Sequence, residues 1–454
     1  MILRDVEIAG RVGLDVRLAD GRIAEIGPRL TGPSDDEIDG RGGALIPGLC
    51  DHHIHLFGYA ARADSVDLED ASPPEAARRI AAAAAARPPG AWIRALGWHE
   101  TATGELTRAD LDRLAPRHRL RVQHQTGALW VLNTAALESL PADDDPPGLD
   151  RATGCLWRGD AWLRARIAAG PPPLAPIGAR LAAWGITALT DASVTTDADA
   201  AGRLADAHRT GDLPQRLMLM SGGALNAPAD AAFTVGPVKV LLDDHALPEF
   251  DDFLARIADA RVWGRPVAVH CVTAAELALS LAAFATAGAR PGDRIEHGGV
   301  IAPDAIGQLR ALGLTVVTQP AFIYERGDRY AAEVAADDLP DLYRLASLRA
   351  AGVPVAASSD APYASADPWM GIAAACDRRS RGGRVLGSDE AVDAAVALSL
   401  YHGDPADPGG PPRRVAVGAA ADLVLLDAPL ADVLASPSPD HVRATFVAGA
   451  PVFS

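Results

Sequence analysis

Hydrophobic and polar residues alternate in two different ways along the chain. Near the start, Ile2-Leu-Arg-Asp-Val-Glu-Ile8, Leu14-Asp-Val-Arg-Leu18 and Arg22-Ile-Ala-Glu-Ile26 are short alternating runs parted by Gly and Asp. Near the finish the same texture returns in Asp422-Leu-Val-Leu-Leu-Asp427, Val442-Arg-Ala-Thr-Phe-Val447 and Pro451-Val-Phe453. A period of two bounded by turn residues predicts half-buried antiparallel strands. Neither end has enough apolar surface to fold alone, so 1–47 and 400–454 are expected to build one small β-sandwich together.

The middle, 48–399, reads differently. Apolar strand candidates at Ile186–Thr190, Val235–Leu242, Pro266–His270, Asp293–His297, Leu314–Gln319 and Val353–Ser358 alternate with amphipathic helices such as Asp252–Ala260 and Ala274–Ala285. Buried strands alternating with helices imply a parallel sheet. At this length the expected fold is α/β, a (β/α)8 TIM-type barrel inserted into the sandwich. The stretch from about 60 to 170 reads as an irregular insertion rich in Pro, Trp and His. Its tryptophans (Trp92, Trp98, Trp130, Trp157 and Trp162) argue that it folds, and it is expected to overhang the barrel mouth.

Composition narrows the function. The 454 residues carry a net charge of −17, which disfavours nucleic acid and anionic membranes as partners and leaves a small-molecule substrate. No run of about 18 apolar residues suggests a membrane span. The start, Met1-Ile-Leu-Arg-Asp5, lacks the apolar core of a signal peptide, and the four cysteines show no paired spacing, so a cytoplasmic location is expected. A homodimer is the default assembly. Among the 42 lysines and arginines there is a single lysine, Lys239. An arginine stays protonated, whereas a lysine amine can deprotonate and act as a nucleophile or be modified. Lys239 is therefore either a position closed to guanidinium or a chance survivor.

The strongest local motif is Pro47-Gly-Leu-Cys-Asp51-His52-His53-Ile-His55, read as the end of a first barrel strand that starts at Ala44-Leu-Ile46. Residues two apart on a strand share a face, so His53 and His55 project together, a pair suited to a zinc-type ion. His270, His297 and Asp360 fall where apolar strands give way to loops, and Lys239 lies nearer the middle of its strand. Strand C-terminal ends converge at a barrel mouth, where such enzymes place their chemistry. Each residue alone could be a satisfied core histidine or a helix cap; four histidines, a lysine and an aspartate on successive strands are hard to read as packing.

On these motifs, with Leu106-Thr-Arg-Ala-Asp-Leu-Asp112, Leu132-Asn-Thr-Ala-Ala-Leu137, Arg294-Ile-Glu-His297, Ser359-Asp-Ala-Pro362 and Ala421-Asp-Leu-Val-Leu-Leu-Asp427, the whole chain resembles the amidohydrolase superfamily. Within it the chain resembles the branch that includes N-substituted formamide deformylase. The resemblance implies two divalent ions, most readily Zn2+. His53, His55 and Asp360 would hold one and His270 and His297 the other. Lys239, carbamylated by carbon dioxide, would bridge them. Asp360 would act as general base and then acid in hydrolysing a non-peptide C–N bond in an amide, formamide or cyclic amide. Two stretches depart from the branch: Cys271-Val-Thr-Ala-Ala-Glu276 stands where Gly-Asp is common after the histidine, and Asp243-Asp244 where Asp-Gly is common.

Two other readings stay in view. A mononuclear deaminase of a cyclic amidine or nucleobase would need a glutamate three residues after His270, where this chain has Thr273. A degenerate barrel serving as a non-catalytic binding protein would not need all six ligand candidates. For substrate contacts the sequence suggests Trp98, His99 and His124 in the insertion, with Gln319 at the end of the seventh strand and Tyr324 after it as part of a lid; ordinary packing or surface ion pairing explains each of them better.

Overall fold

The computed structural model describes residues 1–31, 36–167 and 172–454, the side chain of Ala161 excepted. Residues 168–170 of the expected insertion thus lie outside the described residues. Eight parallel strands form the central sheet, in the order of the chain: β1 (Leu49–Ile54), β2 (Ile186–Asp191), β3 (Arg216–Ser221), β4 (Thr234–Val240), β5 (Val267–Cys271), β6 (Arg294–His297), β7 (Thr315–Thr318) and β8 (Val355–Ala357). Nearly every residue in them is buried, as expected of parallel strands covered by helices on the outside and packed against one another within. Helices follow most strands, among them Phe250–Val262 after β4 and Ala274–Ala287 after β5.

The seam between β8 and β1 closes the barrel. Asp360 N donates to the His53 carbonyl and His55 N to the Ala361 carbonyl, each at 2.8 Å. Lower down, Leu400 and Tyr401 intervene: their carbonyls accept from Ala357 N and Cys50 N. Asp51 adds a side-chain bridge, accepting from Ser359 N at 3.0 Å and Ser359 Oγ at 2.5 Å. Closure therefore brings the residues after β8 beside those of β1.

The terminal strands build two four-stranded sheets. One contains Ile2–Ile8, Arg11–Ala19, Arg22–Gly27 and Glu37–Asp39; the other contains Leu45–Pro47, Leu423–Leu426, Val442–Val447 and Ala450–Phe453. Val424 pairs with Ile46 across the two ends of the chain, and Leu3, Val6, Val16, Ile23, Leu423, Leu425 and Phe446 share one core. This sandwich and the barrel make one compact unit, 1–56 with 174–454.

Four expectations change. The run Ala44–Ile46 is not the start of β1: Leu45–Pro47 belongs to the sandwich, and β1 begins afresh after Gly48. At Gly48 an added Cβ would stand 2.2 Å from the Thr187 side chain, so the crossing from sandwich to barrel needs glycine. The strand expected to run to Leu242 stops at Val240, which makes Lys239 its next-to-last residue rather than a central one. Arg216–Ser221, short and without alternation because it is buried, is a barrel strand that the pattern did not announce. Finally, the insertion is regular. Phe57–Pro173 is a compact unit of its own, with a six-stranded sheet of which one face packs on the helices Pro73–Ala85 and Arg108–Leu114.

Candidate metal centre

The ends of β1, β4, β5 and β6 and the residues after β8 bring the six predicted ligands into one contiguous group. His53, His55 and Asp360 each offer a ligand atom, and these atoms lie within 4.8 Å of one another. His55 Nε2 stands 3.2 Å and His53 Nε2 3.5 Å from Asp360 Oδ1. Lys239 Nζ is 3.4 Å from His53 Nε2. The His297 ring lies 4.7 Å from that of His53 and 4.4 Å from that of His270, and His297 Nδ1 is 3.8 Å from Asp360 Oδ2.

The backbone bends to allow this. His297 and Asp360 both sit in the left-handed region, at φ 72° and 55°. Non-glycine residues there cost on the order of 1–3 kcal/mol when strained, and such strain gathers at functional sites. At β6 the bend breaks the alternation of the strand. As a result Glu296 reaches His53 while the next residue, His297, approaches both His53 and Asp360.

Outer partners orient the imidazoles. His53 Nδ1 faces Glu296 Oε2 at 2.5 Å, and Glu296 Oε1 accepts from Arg294 Nε, also at 2.5 Å. A carboxylate only accepts, so His53 carries its proton on Nδ1 and keeps the Nε2 lone pair for the centre. Gln319 does the same for His297, its Oε1 lying 2.9 Å from Nδ1 while its amide nitrogen donates to Ser358 Oγ. Ser193 Oγ stands 3.2 Å from His55 Nδ1, on a loop held by Asp191, which accepts from Ser193 N and Leu56 N.

Burial disfavours the charged forms of His53, His297, His270 and Lys239. It holds His53 and His297 well below the ordinary imidazole value, with the neighbouring cationic groups adding to the effect, and lowers His270 to about 4. It also lowers the Lys239 amine, against the pull of Glu296 and Asp360. Asp360 Oδ1 is buried without a hydrogen-bond partner, although two imidazole nitrogens face it. With the His53 proton on Nδ1, the Nε2 lone pair and the Asp360 oxygen converge in a buried site, which is unfavourable unless a cation sits between them, so the residues present fit a metal ion.

The predicted substrate contacts fare differently. Gln319 is committed to His297 and Ser358. Tyr324 lies on the helix Ala321–Glu333 with the Arg381 guanidinium 5.8 Å from its ring. Trp98 is buried in the core of the insertion, its indole donating to the Gly104 carbonyl. His124 ends one of two paired strands there, His99 directly follows the other, and with Glu100 they form a second group of metal-capable side chains; His124 Nε2 is 3.0 Å from Glu100 Oε2. Sequence reasoning missed Glu296, Asp51, Ser193 and Tyr363. Glu296 and Asp51 lie inside the quoted motifs, beside the ligand candidates, which was the available signal. Tyr363, 58% exposed with its ring edge-on to His55 at 5.8 Å, had none.

Thr273, where the deaminase reading would need a glutamate, caps the helix Ala274–Ala287. Its Oγ1 accepts from Glu276 N, while Glu276 Oε2 accepts from Thr273 N and Val272 N. The unusual stretch after His270 is thus a capping box.

Residues 36–453 match the model of the amidohydrolase family. The chain is 25% identical to N-substituted formamide deformylase of Arthrobacter pascens, over 94% of this chain and 92% of that protein. It is also 25% identical to the putative amidohydrolase YtcJ of Bacillus subtilis (strain 168), over 81% and 80% of the two chains. The fold matches the crystal structure of an uncharacterized metal-dependent hydrolase from Pyrococcus horikoshii OT3, with a TM-score of 0.76 and 21% identity, over 97% of this chain and 98% of that one.

Proposed function

The chain belongs to the amidohydrolase family and is a metal-dependent hydrolase, and from that premise we propose that it cleaves a non-peptide C–N bond of a small amide, with N-substituted formamides as the first substrate class to try. The observation that carries the reading is the convergence of His53 and His55 on the orphaned carboxylate oxygen of Asp360, with Lys239 Nζ 3.4 Å from His53 Nε2. The similarity to N-substituted formamide deformylase along nearly the whole chain supports the substrate class.

In this reading His53, His55 and Asp360 would hold one divalent ion and His270 and His297 a second, both most readily Zn2+. Lys239 would support them as a carbamate: its amine, once deprotonated, attacks carbon dioxide, a C–N bond forms, and one proton leaves to solvent. A buried amine held below its ordinary pKa, in a chain with no other lysine, supports that role. When bound, the ions would polarise a carbonyl and lower the pKa of a water towards about 7. Asp360 takes a proton from the attacking water and hands it to the leaving nitrogen as the C–O bond forms and the C–N bond breaks. Glu296 and Gln319 hold His53 and His297 in the tautomers that keep their lone pairs on the centre.

Elemental mass spectrometry on protein purified without chelator tests this, beside a screen of N-substituted formamides and N-acyl amines. About two zinc-like ions per chain and hydrolysis of an amide are expected, with both lowered in Lys239→Ala. One ion per chain would favour the mononuclear deaminase instead. No ion after reconstitution with zinc and bicarbonate would overturn the proposal.

A further inference from the structure

Within the unit Phe57–Pro173, the strands Trp92–Trp98 and Arg119–His124 run parallel with Arg94 directly opposite Arg121. Their neighbours Ile93, Ala95, Leu120 and Val122 fill the apolar core on one face of this sheet. The arginines lie on the other, with Trp92 and Trp130. The Arg121 guanidinium is 5.1 Å from the Trp130 ring and 5.9 Å from that of Trp92, and the Arg94 guanidinium is 5.6 Å from Trp130.

Like charges opposite each other on paired strands repel. Elsewhere this chain satisfies its buried arginines: Arg294 pairs with Glu296, and Arg265 and Arg378 donate to backbone carbonyls. Arg94 and Arg121 make no ion pair among the described residues, and the Nε of each is buried without a hydrogen-bond partner. The carboxylate acting on both, Asp160, already accepts from the Trp130 indole at 2.8 Å and from the Gln123 amide at 3.3 Å, and Arg164 adds a further positive charge. Burial depresses both guanidinium pKa values, that of Arg121 to about 10, so holding them here opposes their charge. Aromatic faces recover part of that cost and fix the guanidinium planes, but they do not neutralise them.

We propose that Arg94 and Arg121 form a binding site for a compact oxyanion, the carboxylate or phosphate group of a small molecule. Two guanidinium groups held side by side offer the forked donors that such a group accepts. In a chain of net charge −17 the site is a local device, since the general field repels anions. Arginines kept for a ligand destabilise the ligand-free protein, whereas arginines kept for packing stabilise it, and the two roles predict opposite responses to neutralisation.

The test is calorimetric titration of the whole protein with inorganic phosphate and, separately, with succinate, beside thermal unfolding of Arg94→Gln and Arg121→Gln. Saturable binding of at least one probe is expected, weakened tenfold or more in each variant, with unliganded midpoints equal to or above that of the parent. Phosphate alone binding marks a phosphorylated ligand, and succinate alone a carboxylate. Both variants binding as the parent does would overturn the site and assign the heat to the barrel centre. So would a parent that binds neither probe, or variants that unfold at lower temperature without any change in binding. Arg121→Lys separates charge from shape: it should retain part of the binding.

Discussion

Replacing Glu296 by glutamine changes almost no volume and reverses one hydrogen bond. The carboxylate holds the His53 proton on Nδ1 and takes a second bond from Arg294 Nε. In Glu296→Gln the amide oxygen keeps the arginine, because Arg294 can only donate, and the NH2 group then faces His53 Nδ1. A donor there favours the opposite imidazole tautomer, with the proton on Nε2, the nitrogen that faces Asp360 and Lys239. Loss of such an outer partner typically lowers metal affinity about 10–100-fold, or about 1.4–2.7 kcal/mol. The bond to His53 becomes a neutral one and Arg294 loses its buried counter-ion while keeping an acceptor, at roughly 1 kcal/mol each, so the fold should lose about 2 kcal/mol. The affinity is read by competition with a chromophoric chelator and the stability by denaturant unfolding. Parental metal affinity in a destabilised variant would refute the tautomer argument and leave Glu296 as no more than the counter-ion of Arg294.

Three further outcomes are expected. Asp367 caps the helix Pro368–Asp377 through Trp369 N, and burial raises its pKa from 3.8 to about 6. Its folded pKa lies above the unfolded one, so its contribution is complete below about pH 3.8 and lost as pH rises through about 6, at most about 3 kcal/mol. Asp367→Asn, which keeps the acceptor, should therefore be more stable than the parent at pH 7.5 and not at pH 4; an equal gap at both values would count against the burial argument. Thr273→Ala should cost about 1 kcal/mol in denaturant unfolding without lowering the metal content, because the capping box supports the helix after β5 and not the ions. Gly48→Ala forces a Cβ onto Thr187 and should cost about 1–3 kcal/mol, seen as a lower unfolding midpoint.

The two kinds of alternation in the sequence were sufficient for the architecture, since a period of two marks strands with one wet face and continuous apolar runs mark strands buried on both. That distinction separated sandwich from barrel before any contact was known. The six ligand candidates were equally legible, because each is a polar residue that interrupts or ends an apolar strand, where packing gives it no reason to be. The same logic failed at Arg216–Ser221 and in the insertion: a strand buried on both faces has no period, and its neighbours in the sheet are distant in sequence. It also misplaced the start of β1, where Gly48 lets the chain leave one sheet and enter another within a single residue.

What the tertiary structure alone decided is which partners the ligand candidates have. Glu296 lies 243 residues from His53 and Gln319 lies 22 from His297, and only barrel closure and the left-handed turn at His297 bring each pair into hydrogen-bond range. The opposition of Arg94 and Arg121 likewise depends on a strand register that no local pattern encodes. Side-chain chemistry is written residue by residue, but its protonation, orientation and pairing follow from distances that only the folded backbone sets.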